Sequence, residues 1–265
     1  MATIDYLARY AERAPLGLAL ERVQECRILS EKKFAGPILD LGCGDGVFAE
    51  VFFRDQVDYG LDPNPKEIDR ARATGKYRTL FNCEGSRIPL DDSSVGTIIS
   101  NSVLEHIPDI GPVLREARRV LRPEGTMFLT LPTDQFDRNS WVSLMLESLG
   151  LSGLAAKYRN FFNRFWVHHN IHDLAGWSEV FVENGFSIAE SRLYCSRRQC
   201  LIDEALVPFA LPGFFARKFL GRWFWSPALR RMMMFFVLRL ARFLDRSKEE
   251  REDKLSGLIF FELRR

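Results

Sequence analysis

The stretch PILDLGCGDGVFAE, Pro37 to Glu50, constrains the fold more than any other part of the chain. An apolar run ends in Asp40, glycines follow at the alternate positions 42, 44 and 46, and VFAEVFF then carries helical spacing. A strand that turns through glycines into a helix opens a βα unit. Such a turn offers backbone N–H groups and a positive helix end to a polar ligand, and glycine lets that ligand approach the backbone. The spacing is G-x-G-x-G, whereas a dinucleotide fold wants G-x-G-x-x-G. That disfavours a nucleotide dehydrogenase. A plain glycine-rich turn is the alternative the motif alone leaves open.

The chain keeps alternating after this unit. VDYGLD reads as a strand and PKEIDRARA as a helix with Pro65 in its first turn. YRTLFNC and VGTIISN read as strands, GPVLREARRVL as a helix with a basic C-terminal end, and GTMFLTLP as a strand after a turn at Pro123. Repeated βα units imply right-handed crossovers and a parallel sheet covered on both faces. Residues 3–33 read as two helices broken by Pro15 and Gly17, while Thr133–His172 is aromatic-rich without strand periodicity. DLAGWSEVFVENGF reads as a helix with Asp173 as N-cap and Gly185 as C-cap, FSIAESRLYCS as a strand, and KLSGLIFFELRR as a terminal strand. About 60 residues separate these last two strands, too many for a structureless loop in a compact domain, so Leu201–Arg246 is expected to be mostly helical. The expected layout is N-terminal helices over the site (1–33), a Rossmann-like core (34–194) with an insertion (133–172), a hydrophobic and basic helical insertion (195–250), and a closing strand (251–265).

With 265 residues, 46% of them hydrophobic, the chain suits one large α/β domain with insertions or two small domains. A net charge of +2 excludes a wholly basic nucleic-acid binder, and no nucleic-acid partner is expected. The charge is uneven, however: residues 195–246 hold ten Lys/Arg against three Asp/Glu. Five cysteines without a Cys-x-x-Cys pair argue against a disulfide framework or a zinc site and for a reducing compartment. The N-terminus does not read as a signal peptide, and no uncharged apolar run of about 18 residues stands out as a spanning helix. A cytoplasmic protein is the expectation.

The motifs ILDLGCGDG, YGLDPNP, CEGSRIPLDDSSVGTIISNSVLEHIPD and EARRVLRPEGTMFLTLP follow one another from Gly36 to Pro132. In that order they resemble the class I S-adenosylmethionine-dependent methyltransferases, especially the subgroup acting on small molecules, quinones and lipids. The resemblance implies a Rossmann-like, seven-stranded, mostly parallel doubly wound sheet with an antiparallel last strand, plus helical insertions. It implies S-adenosylmethionine as cofactor. It implies that Asp40 and the turn through Gly42, Cys43, Gly44 and Gly46 hold the methionine end, that Asp62 binds the ribose, and that Pro63 and Asn64 line the adenosine pocket. Glu84, Gly85 and Ser86 would lie near adenine, and Asn101 and Ser102 would border the sulfonium and the acceptor mouth. An acid in the position of Asp62, at a strand end, is itself suited to two ribose hydroxyls; the alternative is a turn start before Pro63. Two departures stand out: Gly96 occupies a position where many relatives carry an acid, and Glu124 replaces the first glycine of a PGG turn.

Methyl transfer from a sulfonium needs mainly proximity and orientation, with a base only where the acceptor must lose a proton. The candidates for that base are His106 in LEH, and His168 and His169 in WVHHNIHD. For each, a structural role is the competing reading. No metal site is expected, because the histidine group lacks matching carboxylate spacing. Tyr158 and Tyr194 are weaker candidates.

Projected as a helix starting at Ser226–Pro227, the segment after Ser226 places Leu229, Met232, Met233, Phe236, Leu240, Phe243 and Leu244 on one face and Arg231, Arg239, Arg242 and Arg246 on the other. Three readings are open: a cap packed on the domain with snorkelling arginines, an interfacial membrane element spanning 201–246, or a spanning helix, which the arginines oppose. The leading expectation is a methyltransferase acting on an O, N or C centre of a hydrophobic or lipid-linked acceptor at a membrane face. The alternatives are the same chemistry on a soluble metabolite or sugar, and a non-catalytic protein that keeps the cofactor. Oligomeric state stays open.

Overall fold

In a computed structural model, residues 5–220, 227–245 and 253–265 are described. Seven strands form one sheet in the order β3-β2-β1-β4-β5-β7-β6. Strands β1 (Ile38–Leu41), β2 (Val57–Leu61), β3 (Tyr77–Phe81), β4 (Val95–Asn101) and β5 (Leu121–Pro132) are parallel. The last strand, β7 (Leu258–Arg264), slots antiparallel between β5 and β6 (Ser187–Tyr194). The expected Rossmann-like architecture with its antiparallel last strand is therefore present. The order reverses between β1 and β4, and in open α/β sheets that switch point is where the crevice for a ligand forms.

Helices cover both faces because the central strands are mostly apolar and buried on both sides, β4 being buried from Val95 to Ser100. On one face, α5 (Gly111–Val120) and α8 (Leu174–Glu183) bury Leu114, Ala117, Trp177 and Phe181 against Leu39, Ile98 and Phe261. Each fully buried side chain of this size contributes about 1.5–3 kcal/mol. Trp177 adds an indole hydrogen bond to Pro132 O at 2.9 Å, which anchors α8 to the end of β5. On the other face, α2 (Leu16–Ser30) and α3 (Val47–Phe52) pack Cys26, Leu29 and Phe52 against Ile99, Phe128 and Phe260. Helices α1 (Tyr6–Arg13) and α4 (Pro65–Thr74) complete the cover.

Several local expectations shift. The break between α1 and α2 falls at Ala14–Pro15, and Gly17 lies inside α2. Strand β5 begins at Leu121, so Pro123 sits within it; the ladder to β4 slips between Val95 and Thr97 to accommodate this stretch. Asp173 caps α8 by accepting from Gly176 N–H at 2.8 Å, but Asn184 is the C-cap and Gly185 follows it at φ +83°. Gly96 has a steric reason for departing from an acid: a Cβ there would meet Ala35 O at 2.6 Å.

The aromatic insertion is a helical hairpin, α6 (Trp141–Ser148) and α7 (Ser152–Phe165), followed by the loop that carries His168 and His169. The second insertion is helical as expected, with α9 (Arg197–Leu220) and α10 (Pro227–Leu244). The expected cap Ser226 and the basic residue Arg246 lie outside the described residues, as do the side chains of Leu229 and Arg231. Helix α10 seats only one edge of the face projected from sequence. It packs through Ala241 against Leu7, Leu20 and Val23, with Leu244 at the margin. The Ala241 contact lies about a third of a turn from the centre of the projected face. Met232, Phe236 and Phe243 of the projected face stay exposed at 74%, 70% and 66%. Helix α9 leaves Phe209, Phe215 and Phe219 exposed as well. Its segment Arg197–Arg217 is long and apolar enough to cross a membrane by length and composition, with a mean hydropathy of 1.2.

Candidate active site

The turn after β1 forms one half of the site. Gly42, at φ +78°, presses against the loop after β4: a Cβ there would lie 2.5 Å from both methyl carbons of Val103. A side chain is excluded by contact as well as by backbone conformation. Gly44, at φ +51°, faces open space, with no protein atom within 4 Å of where its Cβ would stand. This is the cradle a close-approaching ligand needs. A cavity of about 210 Å³ lies over it, lined by Asp40, Gly42, Cys43, Gly44, Asn101 and Ser102 together with Arg22 and Arg217.

Asp40 is 3% exposed and accepts a hydrogen bond from Tyr77 Oη at 2.6 Å. Burial raises its pKa to about 6, against the pull of the tyrosine. A carboxylate, glycine N–H groups and guanidinium groups together complement the ammonium and carboxylate of an amino acid. Asp62, past the end of β2, accepts from Gly44 N–H at 3.1 Å through one oxygen and from Asn64 N–H at 2.8 Å through the other. Each oxygen keeps lone-pair capacity for a hydroxyl. Burial raises this carboxyl too. The residues present thus fit a sulfonium cofactor with an amino-acid end and a ribose.

The expected adenosine residues form an open shelf outside that cavity. Pro63, Asn64 and Glu84 are exposed, Ser86 donates to Glu84 at 3.3 Å, and Gly85 is buried against Val113. The Asn64 side chain already has a structural task, capping α4 by accepting from Lys66 N–H at 3.0 Å. Cys43 is buried, and burial holds its thiol well above the usual range.

A second cavity of about 310 Å³ adjoins the first and shares Leu18, Arg22 and Ser102 with it. Both insertions wall it, through Phe136, Phe162 and Trp166 on one side and Leu206, Val207 and Ala210 on the other. At its inner end Ser102 adopts φ +53°, held by its N–H to Thr130 O at 3.0 Å. Strain of this kind in a non-glycine residue concentrates at functional sites.

Of the histidines expected as bases, two reach this cavity and one does not. His106 Nδ1 lies 3.2 Å from Val167 O, which fixes the Nδ1–H tautomer, and its ring stands 5.3 Å from that of His168. Burial lowers both; His168 falls to about 4, with His106 as the secondary cause. Both are neutral at pH 7. His169 is exposed and engages the fold through its backbone, donating to Glu105 O at 2.7 Å. It is not among the residues that line the cavity. His172 packs edge-on against Trp177 at 4.8 Å. Tyr158 donates to Glu204 and Tyr194 to Glu25, each at 3.2 Å, so both serve the network around the site. Among the described residues no group of three or more His, Cys, Asp or Glu could hold a metal ion.

Sequence reasoning missed the acids and the arginine of the acceptor side. Glu25 is fully buried on α2 and accepts from Arg22 at 2.9 Å, Asn101 at 2.8 Å and Tyr194. Arg22 also donates to Ser102 Oγ at 2.8 Å. Burial opposes its charge, but Glu25 and Glu21 outweigh it and hold the guanidinium protonated. Glu105 is 2% exposed, and burial raises it to about 8. Glu21 rises to about 7, chiefly by burial. The signal in the sequence was an apolar helix, LALERVQEC, interrupted by Glu21, Arg22 and Glu25 on one flank.

Comparison with known proteins agrees with this geometry. Residues 39–129 match the family model of a methyltransferase domain. An uncharacterized methyltransferase of Mycobacterium sp. (strain JLS) is 37% identical over 97 residues, 35% of this chain and 37% of that protein. The chain thus spans little more than a third of the length of the curated relatives it matches. Among solved structures, a geranyl diphosphate C-methyltransferase from Streptomyces coelicolor A3(2), bound to Mg2+, geranyl diphosphate and S-adenosyl-L-homocysteine, superposes with a TM-score of 0.54 at 14% identity. It covers 91% of this chain and 78% of its own. A putative sarcosine dimethylglycine methyltransferase from Galdieria sulphuraria gives 0.52 at 18%, covering 92% and 83%. At such identities the likeness is one of fold. Residues 39–129 thus match a methyltransferase domain, and the ordered motifs and the sheet agree with the resemblance to the class I S-adenosylmethionine-dependent methyltransferases, which implies S-adenosylmethionine as cofactor.

Proposed function

We propose that the chain methylates a hydrophobic or lipid-linked acceptor held in the 310 Å³ cavity, with the exposed apolar faces of α9 and α10 resting on a membrane surface. The observation that carries this reading is the second cavity itself. It is walled by aromatic and aliphatic side chains, and its polar end meets the cofactor pocket at Ser102. When bound, the cofactor supplies an electrophilic methyl group on a positive sulfur. The protein's part is placement. Asp40, the glycine turn and Asp62 fix the cofactor end, Arg22 and Glu25 lock the floor between the cavities, and the apolar walls exclude water.

The membrane contact is supported by Phe209, Phe215 and Phe219 on α9 and by Met232, Phe235, Phe236 and Phe243 on α10, all exposed. Arg239 accompanies them, which suits anionic headgroups, while Arg242 pairs with Asp5 at 2.9 Å. Arg217 ties α9 to the body through Asp45 at 3.0 Å and Glu67 at 2.9 Å. That anchoring favours a helix lying along the surface over one crossing it.

The test is a transfer assay with methyl-labelled S-adenosylmethionine and a total lipid extract, beside a matched aqueous metabolite extract. Label partitioning into organic solvent is the expected result. Label confined to the aqueous extract would instead favour a soluble metabolite or sugar, and cofactor binding without any label transfer would favour a non-catalytic role.

A further inference from the structure

We propose that the acceptor is an amine carried on an apolar skeleton, with its nitrogen seated against the carboxyl of Glu105. This rests on the hydrophobic-acceptor reading above and narrows it to a substrate class.

Glu105 sits on the 3-10 turn Leu104–His106, three residues beyond Ser102, and lines the acceptor cavity beside the cofactor pocket. It is 2% exposed, and its Oε2 has no hydrogen-bond partner among the described residues. A buried carboxyl oxygen left unpaired is costly unless a ligand satisfies it. His106 Nε2, on a ring that is neutral at pH 7, lies 3.7 Å from the other Glu105 oxygen, Oε1.

The rest of the lining has the same sign. Glu21, Asp203 and Glu204 also border the cavity. Among the described lining residues the one fixed cation is Arg22, and its Nη1 is already shared between Glu25 and Ser102. An acid or phosphate ester would face mainly carboxyl groups here, and a neutral alcohol could not offset the charge Glu105 carries when ionised. An ammonium group satisfies both the charge and the empty Oε2. Burial keeps Glu105 protonated in the free protein, and an arriving cation draws it into its charged form.

The reaction then balances. The acceptor ammonium gives one proton to the Glu105 carboxylate and becomes a neutral amine. Its freed lone pair forms the N–C bond to the methyl group while the C–S bond breaks and its electron pair returns to sulfur. The product leaves as a methylated ammonium ion beside a neutral thioether, and Glu105 returns its proton to water on release.

The test uses the full chain loaded with S-adenosyl-L-homocysteine and titrated calorimetrically with dodecylamine, dodecanol and dodecanoic acid. Dodecylamine is expected to bind at least about tenfold more tightly than dodecanol, and dodecanoic acid most weakly. Glu105→Gln should remove about tenfold or more of the amine's affinity while leaving dodecanol and the homocysteine product unchanged. Glu21→Gln, at the rim, should give a smaller loss of the same sign. Methylation of dodecylamine on nitrogen, seen by mass spectrometry, completes the expected result. If dodecanol or the acid binds as tightly as the amine, or Glu105→Gln changes nothing, the amine assignment fails while the hydrophobic acceptor stands. If no probe binds although the homocysteine product does, both readings fail.

Discussion

Arg22 Nη1 donates to Ser102 Oγ at 2.8 Å and to both oxygens of Glu25 at 2.9 Å, so a single guanidinium nitrogen joins α2 to the end of β4. Asn101 completes the link by donating to Glu25 while it accepts from Thr130 of β5. The N-terminal helices are thereby fastened over the switch point of the sheet, at the wall shared by the two cavities.

Removing that guanidinium strands a fully buried carboxylate. Arg22→Met is expected to cost about 3 kcal/mol of stability, because breaking a buried pair leaves its partner uncompensated. Arg22→Met combined with Glu25→Met should be less destabilised than the single variant. Urea denaturation of the three proteins measures both effects.

The two cradle glycines should respond differently. Gly42→Ala forces a methyl group into Val103 and should lower both stability and cofactor affinity. Gly44→Ala meets no protein atom, so its effect on thermal stability should stay near the cost of a left-handed alanine, about 1 kcal/mol. Its cofactor affinity should nevertheless fall about tenfold or more, since the new methyl group occupies ligand space. Thermal melts beside calorimetric titrations separate the two cases.

Glu105 gives a pH signature with a definite sign. Its folded pKa is about 8 against an ordinary 4.5, so between those values the folded state holds a proton that the unfolded chain has released. Its contribution is therefore fully present below pH 4.5 and is lost as pH rises through 8. Relative to wild type, Glu105→Gln should gain stability across that interval, on the order of a few kcal/mol. Denaturation curves at pH 5 and pH 8 measure the difference.

The exposed aromatics should matter to surfaces and little to folding. Phe215→Ser with Phe219→Ser, or Phe236→Ser with Phe243→Ser, should shift stability by only about 0.5 kcal/mol per site, because these rings are more than half exposed. Cosedimentation with phosphatidylglycerol vesicles should drop sharply in both. Unchanged vesicle binding would remove α9 and α10 from the proposed membrane contact.

The sheet, and the glycine turn with Asp62 beside it, were legible because their signals are local. Strand, glycine turn and helix follow one another within PILDLGCGDGVFAE, and Asp62 lies at the end of the next strand. The acceptor half was not legible, because contacts distant in sequence assemble it. Arg22 and Ser102 are 80 residues apart, and Tyr194 reaches Glu25 across 169. His169 looked equivalent to His168 in sequence, yet the loop after α7 turns one ring into the cavity and the other into solvent. Helix α10 misled for a related reason. Periodicity finds an apolar face but not which face a neighbour covers, and the small Ala241 is what α1 and α2 admit.

The turn from Asp40 to Gly46, with Asp62, is the proposed seat of S-adenosylmethionine. Calorimetric titration of the wild type and Asp62→Ala with S-adenosylmethionine and S-adenosyl-L-homocysteine tests it most directly. Saturable binding of both by the wild type, weakened about tenfold or more in the variant, is the predicted result. No heat with either ligand, or affinities unchanged by Asp62→Ala, would contradict the assignment.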